Sequence, residues 1–88
     1  MANSVLIIDD EKKICSLLAR IIGLEGFTVF QANTGKEGLK ILKAEDIQVV
    51  LSDVKLPDIN GVELVKEIKK IRPYTEVINL TAFGTIAD

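Results

Sequence analysis

The sequence predicts an α/β domain in which a parallel sheet is covered by helices on both faces. Three observations support this fold class. Short apolar runs rich in β-branched residues alternate with segments of helical periodicity, the order is β-α-β-α-β-α-β, and the connections are short. Parallel strands need crossover connections, usually helices, and these crossovers are right-handed. A chain of 88 residues corresponds to one small domain.

The individual elements follow from local patterns. Val5–Ile8 is a continuous apolar run typical of a strand buried on both faces, and Ile14, Leu17, Leu18, Ile21 and Ile22 recur at helical spacing, which predicts a helix over 12–24. The remaining predicted elements are a strand over 27–32, a helix ending near residue 44, a strand over 48–52, a helix ending before Pro73 and a strand over 77–81.

Glycine and capping signals mark several boundaries. Gly26 lies where a helix commonly ends in a left-handed residue, and Thr34 with Glu37 matches a capping box that opens the second helix. Pro73 disfavours helical geometry at the residue before it. These signals agree with the periodicity on either side of them.

The composition excludes several classes of function. The chain has no histidine and one cysteine, Cys15, which rules out His-dependent catalytic triads and zinc sites built from this chain's own histidines or cysteine clusters. A net charge of −2 argues against direct nucleic-acid binding by this segment. Its apolar runs are much shorter than the roughly 20 residues of a membrane-spanning helix. We therefore expect no membrane association and a cytoplasmic location.

Acidic residues follow two of the predicted strands. Asp9 and Asp10 come directly after the first strand, Asp53 follows the third, and Thr81 ends the fourth. Ligands of open α/β sheets bind beyond the carboxyl ends of the strands. Clustered carboxylates repel one another unless a cation lies among them, and Mg²⁺ prefers such oxygen ligands. These residues therefore predict a Mg²⁺ site beside a carboxylate that can form an acyl phosphate.

Three motifs together resemble the receiver domains of two-component response regulators. They are Val5-Leu-Ile-Ile-Asp-Asp10, Val50-Leu-Ser-Asp53-Val-Lys-Leu-Pro57-Asp-Ile-Asn-Gly61 and Leu80-Thr-Ala82. The resemblance implies a flavodoxin-like fold, with the four predicted strands in the order 2-1-3-4. It also implies phosphorylation by a sensor histidine kinase, dependence on Mg²⁺ and a connected output domain.

The resemblance also implies a role for each site residue. Asp53 is the expected phosphoacceptor. Asp10 is the expected direct Mg²⁺ ligand, Asp9 a ligand mostly through water, and Lys55 a ligand through its backbone carbonyl. Thr81 is the expected switch hydroxyl that turns toward the phosphoryl group.

Residues 1–88 correspond by this resemblance to the N-terminal two-thirds of a receiver domain. The family pattern continues with a fifth strand that carries a lysine, and with further helices. We expect the 88-residue chain to self-associate, because its fourth strand would be left as an open edge. Residues 81–88 further resemble receivers of NtrC-type activators of sigma-54 polymerase, which favours transcription as the output.

Two other functions remain open from the residues. A Mg²⁺-dependent phosphohydrolase with an aspartyl-phosphate intermediate would use similar chemistry. Such enzymes usually carry Asp-x-Asp on the first strand, whereas Asp9 and Asp10 are adjacent, so we expect a phosphoacceptor switch and not a turnover enzyme. The third possibility is an interaction domain that cannot be phosphorylated.

Overall fold

The computed structural model describes residues 3–53 and 55–80. These residues form the predicted alternation of strands and helices. The elements are β1 (Ser4–Ile8), α1 (Lys12–Leu24), β2 (Thr28–Ala32), α2 (Gly35–Ala44), β3 (Val49–Ser52), α3 (Gly61–Ile71) and β4 (Glu76–Asn79). The predicted boundaries coincide with these or differ by one or two residues, which is the usual uncertainty at frayed termini.

The four strands form one parallel sheet in the order β2-β1-β3-β4. The chain therefore moves from β1 outward to β2, crosses back over β1, and continues through β3 to β4. Central strand β1 pairs on both sides, with Leu6 opposite Phe30 of β2 and Val50 of β3. The expected flavodoxin-like fold and strand order are confirmed. The direction of winding reverses between β1 and β3, so their carboxyl ends form the switch point where ligands bind in such folds.

Alternate residues of the strands supply two apolar layers. On one face, Leu6, Ile8 and Val50 pack against α2 and α3. On the other face, Val5 and Ile7 pack against α1 around the fully buried Cys15. The period of two along each strand explains why continuous apolar sequence fills both layers.

Helix α1 contacts the sheet through a narrower strip than its apolar spacing predicts. Its contacts run along Cys15, Leu18, Ala19 and Ile22, which are spaced i, i+3, i+4 and i+7. The other members of the predicted stripe lie outside this strip: Ile14, Leu17 and Ile21 are 40%, 52% and 50% exposed. The apolar surface of α1 is therefore wider than the sheet surface it covers.

The predicted boundary signals are present in the structure. Gly26 has a φ of 96°, in the left-handed region, just after α1. The Thr34 side chain accepts a hydrogen bond from the Glu37 N–H at 3.1 Å, and the Glu37 carboxylate accepts from the Asn33 N–H at 2.9 Å. Asn60 caps α3 in the same way, accepting from the Glu63 N–H at 2.9 Å. Within the described ranges, none of the helices has the length and hydropathy to cross a membrane.

Candidate functional site

Three carboxylates meet at the switch point between β1 and β3. Oxygen atoms of Asp9, Asp10 and Asp53 all lie within 4.8 Å of one another. Asp9 and Asp10 directly follow β1, and Asp53 directly follows β3, so the parallel pairing of these strands brings them together. The predicted convergence of the three residues is present.

Backbone and side-chain hydrogen bonds fix the end of β1. The Asp9 N–H continues the ladder to the Ala32 carbonyl at 3.0 Å. The Asp9 carboxylate accepts from the Glu11 N–H at 2.9 Å, which turns the chain into α1. Asp9 is only 5% exposed, whereas Asp10 is open to solvent. The site thus pairs a buried carboxylate with an accessible one.

The end of β3 is held in a comparable way. The Asp53 N–H donates to the Ile8 carbonyl at 3.0 Å, so the phosphoacceptor candidate is registered directly on β1. One oxygen of the Asp53 carboxylate accepts from the Lys55 N–H at 3.1 Å. Lys55 in turn pairs with Asn60 in an isolated antiparallel bridge, which closes the loop after β3.

Burial and neighbouring charge raise the pKa of Asp9. Loss of solvation is the main cause, and the negative charges of Asp53, Asp10 and Glu11 act in the same direction. The hydrogen bond from the Glu11 N–H opposes them by stabilising the ionised form. The repulsion expected among clustered carboxylates therefore contributes to the raised pKa of Asp9, after burial.

The donor set fits a hard divalent cation. Carboxylate oxygens are the ligands that Mg²⁺ and Ca²⁺ prefer, and a Mg²⁺ ion usually keeps several waters and takes one or two carboxylates. The close approach of the three oxygens is the arrangement that a cation between them would stabilise. The exposed Asp10 gives the site an opening to solvent.

The structure also places residues that the sequence did not single out. The Asn33 side chain donates from Nδ2 to the Asp9 carbonyl at 2.9 Å, which links the end of β2 to the acidic turn. In the sequence, Asn33 was marked only by its position, as an amide residue directly between β2 and the capping box. Lys55, whose backbone carbonyl is the predicted ligand, contacts the Asp53 carboxylate through its backbone N–H, and the residue is exposed. Thr81, the predicted switch hydroxyl, lies outside the described residues.

Residues 5–88 match the protein family described as the response regulator receiver domain. The chain belongs to this family. The receiver resemblance of the three sequence motifs is thereby confirmed, and the match includes every residue of the acidic cluster.

Curated proteins show the same relationship. The receiver is 38% identical over 84 residues to the transcriptional regulatory protein GlrR of Escherichia coli strain K12, covering 96% of this chain and 19% of GlrR. It is 37% identical over 86 residues to sporulation initiation phosphotransferase F of Bacillus subtilis strain 168, covering 98% of this chain and 69% of that protein. The receiver therefore spans about a fifth of GlrR.

Solved structures share the fold. A CheY-like receiver domain from Methanospirillum hungatei JF-1 matches with a TM-score of 0.87 and 35% identity, over 90% of this chain and 63% of that one. A response regulator from Burkholderia pseudomallei, whose crystal structure holds a phosphorylated aspartic acid, a calcium ion and citrate, matches with a TM-score of 0.86 and 29% identity. That match covers 97% of this chain and 50% of the Burkholderia chain.

Proposed function

We propose that this receiver is a phosphorylatable switch in which Asp53 accepts a phosphoryl group from a sensor histidine kinase. The observation that carries the proposal is the cluster of Asp9, Asp10 and Asp53 at the switch point of the sheet. The phosphorylated aspartic acid of the Burkholderia relative supports the same chemistry. Asp53 is the natural acceptor because it is registered on β1 and its carboxylate is oriented by the Lys55 N–H.

The proposed transfer is a substitution at phosphorus. A carboxylate oxygen of Asp53 attacks the phosphorus of the phosphohistidine, a P–O bond forms, and the P–N bond to the imidazole breaks. The imidazole nitrogen keeps the electron pair of that bond and takes up a proton. Positioning and charge compensation supply most of the catalysis in such transfers. The rigid ends of β1 and β3 supply the positioning.

Asp9, Asp10, Asp53 and the Lys55 carbonyl would hold Mg²⁺ in this proposal. A bound cation supplies positive charge that offsets the repulsion between the carboxylates and the phosphoryl oxygens. Asp10 would be the direct ligand, and Asp9, which is more deeply buried, would act mainly through water. The Thr81 hydroxyl is proposed to donate to a phosphoryl oxygen and so to report phosphorylation to the rest of the protein.

Transcription is the output that we propose for the protein that carries this receiver. GlrR and the CpxR proteins of several bacteria are transcriptional regulatory proteins at 36–41% identity. Within that class, the resemblance of residues 81–88 to NtrC-type receivers favours an activator of sigma-54 polymerase. The proposed partners are therefore a sensor kinase and an output domain, in a cytoplasmic protein.

Labelling with a small-molecule phosphodonor tests the proposal. With Mg²⁺ present, the wild-type protein should gain the mass of one phosphoryl group, in a linkage that hydroxylamine or alkali removes. Asp53→Asn should abolish the gain. Asp46→Asn is the matched control, because Asp46 is 84% exposed and contacts Arg72 away from the cluster. Persistent labelling of the Asp53 variant would show that another residue is the acceptor.

A generic phosphoester, supplied in place of the phosphodonor, distinguishes a switch from a phosphohydrolase. A switch takes up one phosphoryl group per chain and releases it slowly. An enzyme of the aspartyl-phosphate class would instead turn over a generic phosphoester many times under the same conditions. Sustained hydrolysis that is lost in Asp53→Asn would replace the proposed switch with an enzyme.

A further inference from the structure

We propose that Asp58 and Asn33 are positioning residues for the acidic cluster, because they fasten both acid-bearing loops to the first turn of α2. The proposal rests on the proposed function in one respect, that the cluster binds Mg²⁺ in order to accept a phosphoryl group. Neither side chain is assigned as a ligand. Each acts through the loop that it holds.

Asp58 forms the first of these two attachments to α2, which we call the first arm. Its two carboxylate oxygens accept from consecutive backbone amides at the start of α2, Oδ1 from the Gly35 N–H and Oδ2 from the Lys36 N–H, both at 2.8 Å. The two amides are among the first N–H groups of the helix, which have no partner within it. A carboxylate at a helix N-terminus is stabilised by these donors and by the helix dipole. The same hydrogen bonds lower the pKa of Asp58, so it is ionised at neutral pH.

Gly35 permits the close approach that this arm requires. A Cβ atom at position 35 would collide with the Ile59 side chain and would lie 3.3 Å from Asp58 Oδ1. Gly35 is also buried, although it lies at a helix end. The loop after β3 is therefore pressed directly against the α2 backbone.

The loop after β3 connects Asp58 to the phosphoacceptor candidate. The Lys55–Asn60 bridge closes the loop at its base, and Leu56 anchors it in the core at 9% exposure. Asp58 lies near the tip. At the base, the Lys55 N–H donates to the Asp53 carboxylate. A displacement of the tip is thereby transmitted to the Asp53 side chain.

Asn33 forms the second arm. It lies just before the Thr34 cap of α2, and its backbone N–H donates to the Glu37 carboxylate in the first turn of that helix. Its side chain donates to the Asp9 carbonyl at 2.9 Å. The α2 terminus thus holds the β1 turn on one side and the β3 loop on the other. In the proposal, both arms act together with the direct hydrogen bond from the Asp53 N–H to the Ile8 carbonyl to set the separation between the Asp9 and Asp53 side chains.

The experiment compares Mg²⁺ affinity with stability in variants of the full protein. Asp58→Ala removes both acceptors of the first arm, Asp58→Asn keeps one, and Asn33→Ala removes the second arm. Lys40→Gly is the matched control, because it weakens the same helix at an exposed position beyond its first turn. Calorimetric titration with Mg²⁺ at a temperature where every variant is folded gives the affinity, and thermal unfolding gives Tm.

The expected result separates positioning from stability. Mutation of the groups that hydrogen-bond to metal ligands typically lowers the affinity for the metal by about 10-fold or more. Asp58→Ala and Asn33→Ala should therefore weaken Mg²⁺ binding by roughly 10-fold, with a smaller loss in Asp58→Asn. Lys40→Gly should lower Tm and leave the affinity within about 2-fold of wild type. Affinities of both Asp58 variants and of Asn33→Ala that stay within about 2-fold would overturn the proposal, as would an equal loss in Lys40→Gly.

Hydrogen–deuterium exchange of the metal-free protein tests the positioning role of Asp58 independently of the proposed function. Asp58→Asn should speed exchange in the peptide over residues 53–60, whereas Lys40→Gly should speed it only within α2. If the wild-type protein binds no Mg²⁺, the proposed function is wrong. The exchange comparison then tests by itself whether Asp58 holds the loop after β3. Exchange of residues 53–60 that is unchanged in Asp58→Asn would contradict that role.

Discussion

The fold holds the Asp9 side chain in a position that disfavours its ionised form. Asp9 is nearly buried, it lies beside two other carboxylates, and its pKa is raised by both effects. A hydrogen bond from the Glu11 N–H only partly offsets them. Groups perturbed in this way by burial and a specific charge partner are typical of functional sites. A bound cation would remove the repulsion that the folded protein otherwise carries.

A pH-dependence follows for the metal-free protein. Because the folded state binds the Asp9 proton more tightly than the unfolded state, the free energy of unfolding should rise as pH falls from about 7 through the raised pKa. This gain is complete below the ordinary aspartate pKa near 4 and is lost again as pH rises. Asp58, with its lowered pKa, acts oppositely: its contribution is present above about 4 and is lost as pH falls through its own pKa.

Urea unfolding in the presence of a chelator measures this dependence. Asp9→Asn should remove most of the rise between about pH 7 and 4, because it carries no titrating proton. Asp46→Asn should keep it, since that exposed carboxylate lies outside the cluster. Identical pH profiles for wild type and Asp9→Asn would show that Asp9 does not carry the effect.

At the residue scale, the sequence predicted the acidic cluster and not its supports. Asp9, Asp10 and Asp53 could be placed because parallel strands end at the same edge of a sheet. The hydrogen bonds of Asn33 and Asp58 join residues that are 24 and 23 positions apart in the chain. Their contacts depend on how closely α2 approaches the β3 loop, and strand and helix periodicity carry no information on that distance.

The elements themselves were the most predictable part of the fold. Thr34 and Gly26 mark helix ends through local hydrogen bonding and backbone geometry, which neighbouring residues largely determine. Helix α1 was less predictable. Its apolar spacing indicated a broad buried stripe, but only the Cys15, Leu18 and Ile22 side faces the sheet. Periodicity identifies an amphipathic helix, whereas the width of its buried face is set by the neighbours it packs against.

The Asn60 cap gives a prediction for α3. Asn60→Ala should reduce the free energy of unfolding by about 1 kcal/mol, because the Glu63 N–H loses its acceptor. Asn60→Asp keeps an acceptor oxygen and should stay close to wild type. Urea denaturation of the two variants measures the difference. Equal stability in Asn60→Ala and wild type would mean that solvent replaces the cap at no cost.

At the scale of the whole molecule, the two faces of the sheet are covered unequally. Helices α2 and α3 share one core with the sheet, whereas α1 is the one helix among residues 3–53 and 55–80 that packs on the opposite face, against β1 and β2. Ile78 of β4 pairs with Leu51 on that second face and is 53% exposed. Leu17 and Ile21 of α1 are similarly exposed. Exposed apolar side chains on β4 and on α1 favour association.

We predict that a polypeptide of these 88 residues self-associates at micromolar concentration. Light scattering during size exclusion should give a mass above 9.6 kDa. Replacing Leu17 and Ile21 by lysine should shift the mass toward the monomer, because charged side chains are poorly accommodated in an apolar contact. Ser16→Lys is the matched control, since it adds charge at an exposed polar position of the same helix. A cooperative, stable wild-type monomer would contradict the prediction.

The central claim is that Asp9, Asp10 and Asp53 form one cation site in the receiver. Calorimetric titration of Mg²⁺ into wild type, Asp10→Asn and Asp46→Asn tests it most directly. Asp10→Asn removes a charged ligand that is open to solvent, so affinity should fall by more than about 10-fold while the fold is retained. Asp46→Asn should bind as wild type does. Equal Mg²⁺ affinity in wild type and Asp10→Asn would contradict the claim.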